Sequence, residues 1–254
     1  MNKASNNQIK LLRKLGQKKY REKEGLFIVE GDRAVEQVLE NKVVQVKEIF
    51  VDEGKAKSYQ LSANSFYEVD SKLMNELSDT DNAQGLLAVC KIPKETSIEE
   101  LQQENGLIIA TDRIQDPGNL GTIVRTGVWF GVAAILLEKG SVDLFHPKVV
   151  RSTAGATGCL PYLNANLGED FKEFEQAGWD ILMLDSNSGA EPIDQIKLSE
   201  KTILVVGNEA NGISHDLITP NRQRVLIPAA EKNRSVESLN AAIAMSIALY
   251  QLNR

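Results

Sequence analysis

Short apolar runs alternate with amphipathic segments in the first hundred residues. Four of these runs have the length and the β-branched content of strands: GLFIVEG (25–31), VKEIFVDE (46–53), FYEVD (66–70) and GLLAVCKIP (85–93). Two segments between them carry apolar residues at helical spacing, RAVEQVLENK (33–42) and SKLMNELSD (71–79). The pattern predicts a small α/β domain over 1–93, followed by a polar linker at 94–105.

From residue 106 onward, short apolar runs with β-branched residues alternate with helical segments. The predicted strands are GLIIATD (106–112), AAILLEKG (133–140), DILMLDS (180–186), TILVVGN (202–208) and QRVLIPA (223–229). The predicted helices cover 119–130, 146–158, 169–177, 215–219 and a long final segment from about 236. Continuous apolar strands that alternate with helices indicate a parallel sheet covered on both faces. We therefore predict an α/β protein with a parallel-sheet domain over 106–254.

The charge is unevenly distributed along the chain. The net charge is -6, but residues 1–25 hold eight Lys/Arg and two Glu. That segment therefore carries +6, and the rest of the chain carries -12. Five of the cations recur at three- and four-residue steps, which predicts that they lie along one face of a helix: Lys10, Arg13, Lys14, Lys18 and Arg21.

Cysteine and histidine usage points to a reducing compartment and away from a metal site. Cys90 and Cys159 form no close-spaced motif, which is typical of a cytoplasmic protein. His146 and His215 have no neighbours at metal-ligand spacing, so no metal site is predicted. The most apolar segment, 239–250, is too short to span a bilayer, and the basic N-terminus lacks the apolar core of a secretory signal.

Three polar segments follow strands of the second domain. The first, DRIQDPGNLGTIVRTGVWFG (112–131), contains Asn119, a predicted helix N-cap, and Arg125, whose guanidinium can hold a phosphate or carboxylate. The second is GNEANGIS (207–214), and the third is ESLN (237–240). Ligands of parallel sheets bind at the carboxyl ends of the strands, so the three segments predict one composite site. Each could also be an ordinary cap or turn, but no Rossmann fingerprint or P-loop is present to suggest nucleotide binding.

Together these segments resemble the three motifs of the SpoU (TrmH-type) RNA ribose 2′-O-methyltransferases of the SPOUT superfamily. The motifs are QDPGNLGTIVRTGVWFGV, ILVVGNEANGIS and IPAAEKNRSVESLNAAIAMSIALY, with HPKVVRSTAGATGCLPY between the first two. The resemblance covers 106–254. The passages KYREKEGLFIVEGDRAVEQVL and NAQGLLAVCK also resemble the small RNA-binding domain that many members carry.

The resemblance implies a deep trefoil knot in the C-terminal domain, a homodimer, and S-adenosyl-L-methionine as the cofactor. It implies ribosomal RNA as the substrate, with transfer RNA or a non-catalytic assembly role as alternatives. The implied catalytic residues are Arg125, Asn119, Glu209, Ser238 and Asn240, and the implied cofactor-binding residues are Gly207, Asn208, Ile227, Pro228 and Leu239. Lys10, Arg13, Lys14, Lys18 and Arg21 would contact RNA phosphates. The loop at 229–237 departs from the family pattern because it lacks the expected glycine.

Overall fold

The computed structural model describes residues 2–55, 66–80, 83–185, 189–230 and 236–253. Its first elements are β1 (Asn2–Lys3), α1 (Asn6–Leu15), α2 (Lys18–Glu24), β2 (Leu26–Glu30), α3 (Asp32–Asn41), β3 (Val46–Asp52), β4 (Phe66–Val69), α4 (Ser71–Leu77) and β5 (Leu86–Lys91). The remaining elements are α5 (Ile98–Gln102), β6 (Gly106–Asp112), α6 (Pro117–Trp129), β7 (Ala134–Glu138), α7 (Pro147–Ser152), β8 (Tyr162–Ala165), α8 (Leu167–Gln176), β9 (Asp180–Leu184), β10 (Glu191–Pro192), β11 (Lys201–Gly207), β12 (Gln223–Leu226) and α9 (Ala241–Leu252).

The chain divides into two compact units. The first comprises 1–93 and 143–159, and the second comprises 94–142 and 160–254. We expected 143–159 in the second domain, but α7 packs against β2, and Phe145 lies on Phe27 with ring centroids 5.0 Å apart. The expected linker at 94–105 contains α5, whose buried Leu101 belongs to the core of the second unit.

The first unit is a five-stranded sheet in the order β1-β4-β3-β5-β2. β5 pairs antiparallel with both β2 and β3, whereas β4 pairs parallel with β1 and β3. A capping box between Ser5 and Gln8 starts α1, whose apolar face packs on the sheet. This face is formed by Ile9, Leu12 and Leu15.

The basic segment is not one continuous helix, so the predicted single basic face is wrong. α1 ends at Leu15, and α2 begins at Lys18 after the turn at Gly16 and Gln17. Arg21 is only 2% exposed, which excludes it as a direct RNA contact. Its guanidinium donates to the carbonyl of Leu15 at 2.8 Å and to the carboxylate of Asp143.

The second unit contains a seven-stranded sheet in the order β10-β12-β9-β11-β6-β7-β8. Every pairing in it is parallel, which confirms the predicted α/β architecture. One face carries alternate residues of the strands and is covered by α8 with Phe171 and Phe174. α9 packs against both α6 and β11.

Three helices are shorter than the apolar pattern predicted, and the one expected at 215–219 is only the 3₁₀ turn His215–Leu217. α7 ends at Ser152 instead of continuing to 158, because Ala154, Gly155 and Gly158 have positive φ. α9 begins at Ala241 rather than near 236, because the side chain of Asn240 accepts hydrogen bonds from the first turn. Among the described residues, no helix is long and apolar enough to cross a bilayer.

His146 is the N-cap of α7, and this role depends on its being neutral. Its Nδ1 accepts the N–H of Lys148 at 3.2 Å, which a protonated ring could not do. Desolvation by burial is the main cause that lowers the pKa of His146 below its ordinary value of 6.5, and the nearby charge of Arg21 adds to it. The neutral ring is therefore favoured in the folded state.

We predict that the free energy of unfolding depends on the protonation of His146. Because its pKa is lower in the folded state, its contribution is complete above pH 6.5 and is lost as the pH falls below 6.5. His146→Asn retains an acceptor for the cap but does not titrate. Urea unfolding of both proteins between pH 8 and 5 should show the wild type losing stability relative to the variant. Parallel curves would contradict this role.

Candidate active site at the carboxyl edge of the parallel sheet

Four of the predicted site residues, Gly207, Asn208, Ile227 and Pro228, lie where β11 and β12 end. β6 and β11 pair in register from Gly106 with Lys201 to Asp112 with Gly207, so their carboxyl ends lie side by side. Ile227 and Pro228 follow β12 directly at the same edge of the sheet, with β9 between β12 and β11. Parallel strands therefore bring residues more than a hundred positions apart to one edge.

Gly207 is the position with the least room for a side chain. A Cβ there would lie 2.2 Å from the backbone of Gly212 and Ile213. The contact is this close because Asn208 and Gly212 exchange two backbone hydrogen bonds of 3.0 and 2.9 Å, which fold the loop onto the strand end. The side-chain oxygen of Asn208 also accepts the N–H of Ala210 at 2.9 Å. Where this loop comes closest to the end of β11, it therefore presents mainly backbone atoms.

A buried carboxylate anchors the far end of this loop. Asp112 is 1% exposed, and it accepts hydrogen bonds from the hydroxyl of Ser214 and, at 2.7 Å, from its backbone N–H. Arg113 donates to the same carboxylate at 3.0 Å and has a φ of 54°, which is uncommon for a residue other than glycine. Its carbonyl accepts the side-chain amide of Asn208 at 2.8 Å. The strand ends β6 and β11 are thereby joined through side chains as well as backbone.

Sequence reasoning missed Asp112, Arg113 and Ser214. The signal was present, because an aspartate that closes the apolar run GLIIATD has to find hydrogen-bond donors once it is buried. Nothing in the sequence identifies those donors, since Ser214 lies 102 residues away.

A chain of hydrogen bonds connects the three polar segments. The amide of Asn119 donates to Oε1 of Glu209 at 2.8 Å, and the amide of Asn240 donates to Oδ1 of Asn119 at 2.9 Å. Oδ1 of Asn240 in turn accepts the N–H of Ala242 at 3.0 Å and of Ile243 at 3.2 Å. The first turns of α6 and α9 are therefore held by the loop after β11.

The prediction that Asn119 is the N-cap of its helix is wrong. Asp116 is the N-cap, because its carboxylate accepts the N–H of Asn119 at 2.7 Å, and Pro117 follows at the first helical position. Capping by Asp116 leaves the Asn119 side chain available for Glu209 and Asn240. Glu209 also accepts the backbone N–H of Asp116 at 3.4 Å.

Arg125, Ser238 and Leu239 are exposed. Within the described ranges, neither the Arg125 guanidinium nor the Ser238 hydroxyl has a hydrogen bond or an ion pair. Both groups are therefore available to a ligand. Residues 231–235 of the loop singled out in the sequence lie outside the described residues.

The groups that the structure brings to this edge are mainly amides, a carboxylate and backbone. No cluster of His, Cys, Asp and Glu that could hold a metal occurs in the described part of the chain. The edge offers a glycine loop and a chain of amide and carboxylate groups, and the exposed Arg125 lies further along α6, whose first turn takes part in that chain. Such a set can bind, orient and stabilise charge.

The fold and the site define an α/β protein with a parallel sheet and a composite site at its carboxyl edge. The model of the SpoU rRNA Methylase family matches residues 106–250, and that of the MRM3-like substrate binding domain matches 6–88. The chain therefore belongs to the SpoU rRNA methylase family.

Individual relatives support this assignment over nearly the full chain. The chain is 32% identical over 250 residues to "23S rRNA (guanosine(2553)-2'-O)-methyltransferase RlmP" of Bacillus subtilis (strain 168), covering 98% of this chain and 97% of the relative. A putative RNA methyltransferase of the TrmH family from Porphyromonas gingivalis superimposes with a TM-score of 0.84 at 31% identity, covering 98% of each chain. The AdoMet-bound rRNA methyltransferase from Sinorhizobium meliloti has a TM-score of 0.83 at 28% identity, covering 99% and 96%.

We predict that Gly207→Ala distorts the loop at 208–212. The added methyl group would meet backbone atoms, which cannot rotate away, so the free energy of unfolding should fall by about 1–3 kcal/mol. Gly168→Ala in α8 is the matched control, because its Cβ would have 3.7 Å to the nearest atom. Urea unfolding should leave the control within about 1 kcal/mol of wild type. Equal effects of the two changes would contradict the close approach at Gly207.

Proposed function

We propose that this chain transfers the methyl group of S-adenosylmethionine to a ribose 2′-hydroxyl of ribosomal RNA. The observation that carries the proposal is the hydrogen-bond chain from Glu209 through Asn119 to Asn240, which joins all three polar segments. Arg125, unpaired among the described residues, lies on the same helix as Asn119. The similarity to a 23S rRNA 2′-O-methyltransferase over 98% of the chain supports the substrate class.

The glycine loop fits the proposed cofactor. When bound, S-adenosylmethionine supplies a methyl group activated by a positively charged sulfur. The loop after β11 folds back so closely on Gly207 that a Cβ there would meet the backbone of Gly212 and Ile213, and the backbone groups of this loop would hold the cofactor. The relative from Sinorhizobium meliloti is described with AdoMet bound. Ile227, Pro228 and Leu239 complete the set that would line the site from the strand end and the loop before α9.

Arg125 acts in this scheme by holding an RNA phosphate and stabilising negative charge. A guanidinium stays protonated at physiological pH, so it is a poor general base. Its fixed positive charge instead lowers the energy of the alkoxide character that develops on the attacking 2′-oxygen. The proton of the hydroxyl passes to an oxygen of the phosphate that Arg125 holds, and from there to water.

Asn119, Glu209 and Asn240 orient the site, and Ser238 bonds to the ribose. The direction of these hydrogen bonds is fixed, because the Glu209 carboxylate can only accept and the Asn119 amide donates to it. Asn240 therefore has both of its polar ends engaged, one by Asn119 and one by the first turn of α9. The Ser238 hydroxyl, two residues earlier, is left for the substrate.

We also propose the trefoil knot for the C-terminal part of the chain. After β9 the chain runs out to the edge strand β10, beyond β12, before it returns to the middle of the sheet as β11. α9 then packs against α6, β11 and the 3₁₀ turn Ile193–Gln195, which belongs to that excursion. A terminal helix enclosed in this way fits a chain threaded through its own loop.

We propose a homodimer built on the exposed apolar face of α9. Ile243, Ile247 and Tyr250 recur at helical spacing and remain exposed. Trp129, four residues after Arg125 on α6, is 84% exposed, and an apolar surface of this kind is typical of an interface. A partner on this face would approach Arg125. We expect the enzyme in the cytoplasm, where the free Cys90 and Cys159 stay reduced.

Arg125→Ala should abolish methyl transfer and leave cofactor binding intact. Loss of a group that stabilises transition-state charge should lower kcat by about 10²–10³-fold. The measurement is transfer of radioactive methyl to unmodified 23S rRNA, with transfer RNA as the alternative substrate. Titration calorimetry with S-adenosylmethionine should give one site per subunit with an affinity within about twofold of wild type.

Arg125→Lys is the matched control, because it keeps the charge and loses the bidentate geometry. We expect it to recover part of the activity. Normal turnover by Arg125→Ala would remove Arg125 from the mechanism. No cofactor binding by the folded wild type would favour the non-catalytic assembly protein, and methylation of tRNA alone would correct the substrate class.

Ile243→Asp should convert the dimer to a monomer. Placing a charge at the centre of an apolar interface leaves it buried and unpaired in the complex. Val43→Asp is the control, because Val43 is 51% exposed and Ile243 is 50% exposed. Sedimentation velocity should give a monomer only for Ile243→Asp. A wild-type monomer, or a dimer that tolerates both changes, would refute the proposed interface.

A further inference from the structure

The turn between α1 and α2 gathers charge around one aromatic ring. Nζ of Lys14 lies 5.5 Å from the ring centroid of Tyr20, and Nζ of Lys19 lies 5.9 Å from it. Both distances are within the range of cation–π attraction. Tyr20 is half-buried, and both lysines are exposed.

The local fold fixes this cluster on the outer side of the turn. Gln17 donates its N–H to the carbonyl of Lys14 at 2.9 Å, and Tyr20 donates to the carbonyl of Gln17 at 3.1 Å. The adjacent Arg21 points the other way, into the interior, where it holds the carbonyl of Leu15 and the carboxylate of Asp143. Because Arg21 anchors α2 from inside, the preceding residue is held at the surface.

The two lysines at the ring differ from Arg13 and Lys18 of the same segment. Arg13 pairs with Glu76 at 3.2 Å, and Lys18 pairs with Glu22 at 3.7 Å. Lys14 and Lys19 form no ion pair with a carboxylate of the described residues. Their positive charge is therefore available to an external anion, in a segment whose net charge is +6.

We propose that Tyr20, Lys14 and Lys19 form a binding site for one unpaired nucleotide of the RNA substrate. The base stacks on the Tyr20 ring, and the flexible lysine side chains move from the ring to the flanking phosphates. This inference rests on the proposed function for its ligand, and it adds that the contacted RNA is single-stranded. The bases of a duplex are stacked on one another, so a duplex would bind through the lysine charges alone.

Two matched variants separate stacking from charge. Tyr20→Phe keeps the ring, whereas Tyr20→Leu keeps apolar bulk and removes the ring. The probes are a single-stranded adenosine dodecamer and a hairpin duplex of equal length, with binding followed by fluorescence anisotropy at several salt concentrations. We expect Tyr20→Leu to weaken single-strand binding by about tenfold or more, with an unchanged salt slope. Tyr20→Phe should bind as wild type, and neither variant should alter duplex binding.

Replacing the two lysines tests the contribution of charge to single-strand binding. Lys14→Gln combined with Lys19→Gln should reduce the salt slope for the single strand by about 1.4, or about 0.7 for each phosphate contact. An adenosine probe that carries 2-aminopurine should lose its fluorescence on wild type and Tyr20→Phe but not on Tyr20→Leu, because quenching reports stacking directly.

The proposed stacking site would be overturned if both Tyr20 variants weakened single-strand binding equally, or if neither variant weakened it. Equal effects of Tyr20→Leu on single strand and duplex would also overturn it. Thermal unfolding of Tyr20→Leu and its titration with S-adenosylmethionine show whether the substitution has damaged the fold or the cofactor site instead. Loss of its folding would be visible in the first, and Tyr20→Met, which also keeps apolar bulk and removes the ring, then takes its place in the quenching and anisotropy experiments. Failure of wild type to bind the cofactor would refute the proposed function and leave the stacking result standing.

Discussion

The in-register pairing of β6 with β11 is the constraint on which the site depends. It places Asp112 beside Gly207, so a buried carboxylate and a residue without a side chain occupy neighbouring strand ends. The carboxylate needs donors, which Ser214 supplies, and Ser214 can reach it only if the chain after Gly207 turns back sharply. The missing Cβ of Gly207 permits that turn. The loop geometry thus follows from one strand pairing and one buried charge.

The same groups that stabilise the fold also position the site. Asn240 caps α9 and bonds to Asn119, so the start of the last helix and the orientation of a site residue are determined together. Glu209 likewise accepts from the backbone before α6 and from the Asn119 side chain. Hydrogen bonds that exist before any ligand arrives lower the cost of organising the site on binding.

The apolar pattern predicted five strands of the second sheet, because buried parallel strands are continuous apolar runs. It missed the edge strands β8 (Tyr162–Ala165) and β10 (Glu191–Pro192), which are only four and two residues long. The pattern made α7 and α9 too long, because apolar residues at 156–160 and 236–239 also satisfy helical periodicity. In the structure, positive-φ residues end α7, and the side chain of Asn240 caps the start of α9. The edge of the sheet at which the site lies could be predicted from the strand ends alone. The partners could not, because Asp112 with Ser214 and Asn119 with Glu209 are pairs about a hundred residues apart.

The basic segment shows why charge periodicity alone is a weak guide to binding. Lys14, Lys18 and Arg21 satisfy the same spacing rule, yet the break at Gly16 turns Arg21 inward to a carboxylate and a carbonyl. A buried guanidinium requires several acceptors, and those acceptors are fixed by tertiary structure. The residue next to it is consequently held outward, which is how an interior ion pair determines the exposure of Tyr20. Part of the positive charge in this segment therefore builds the domain, and only the remainder is available to a phosphate.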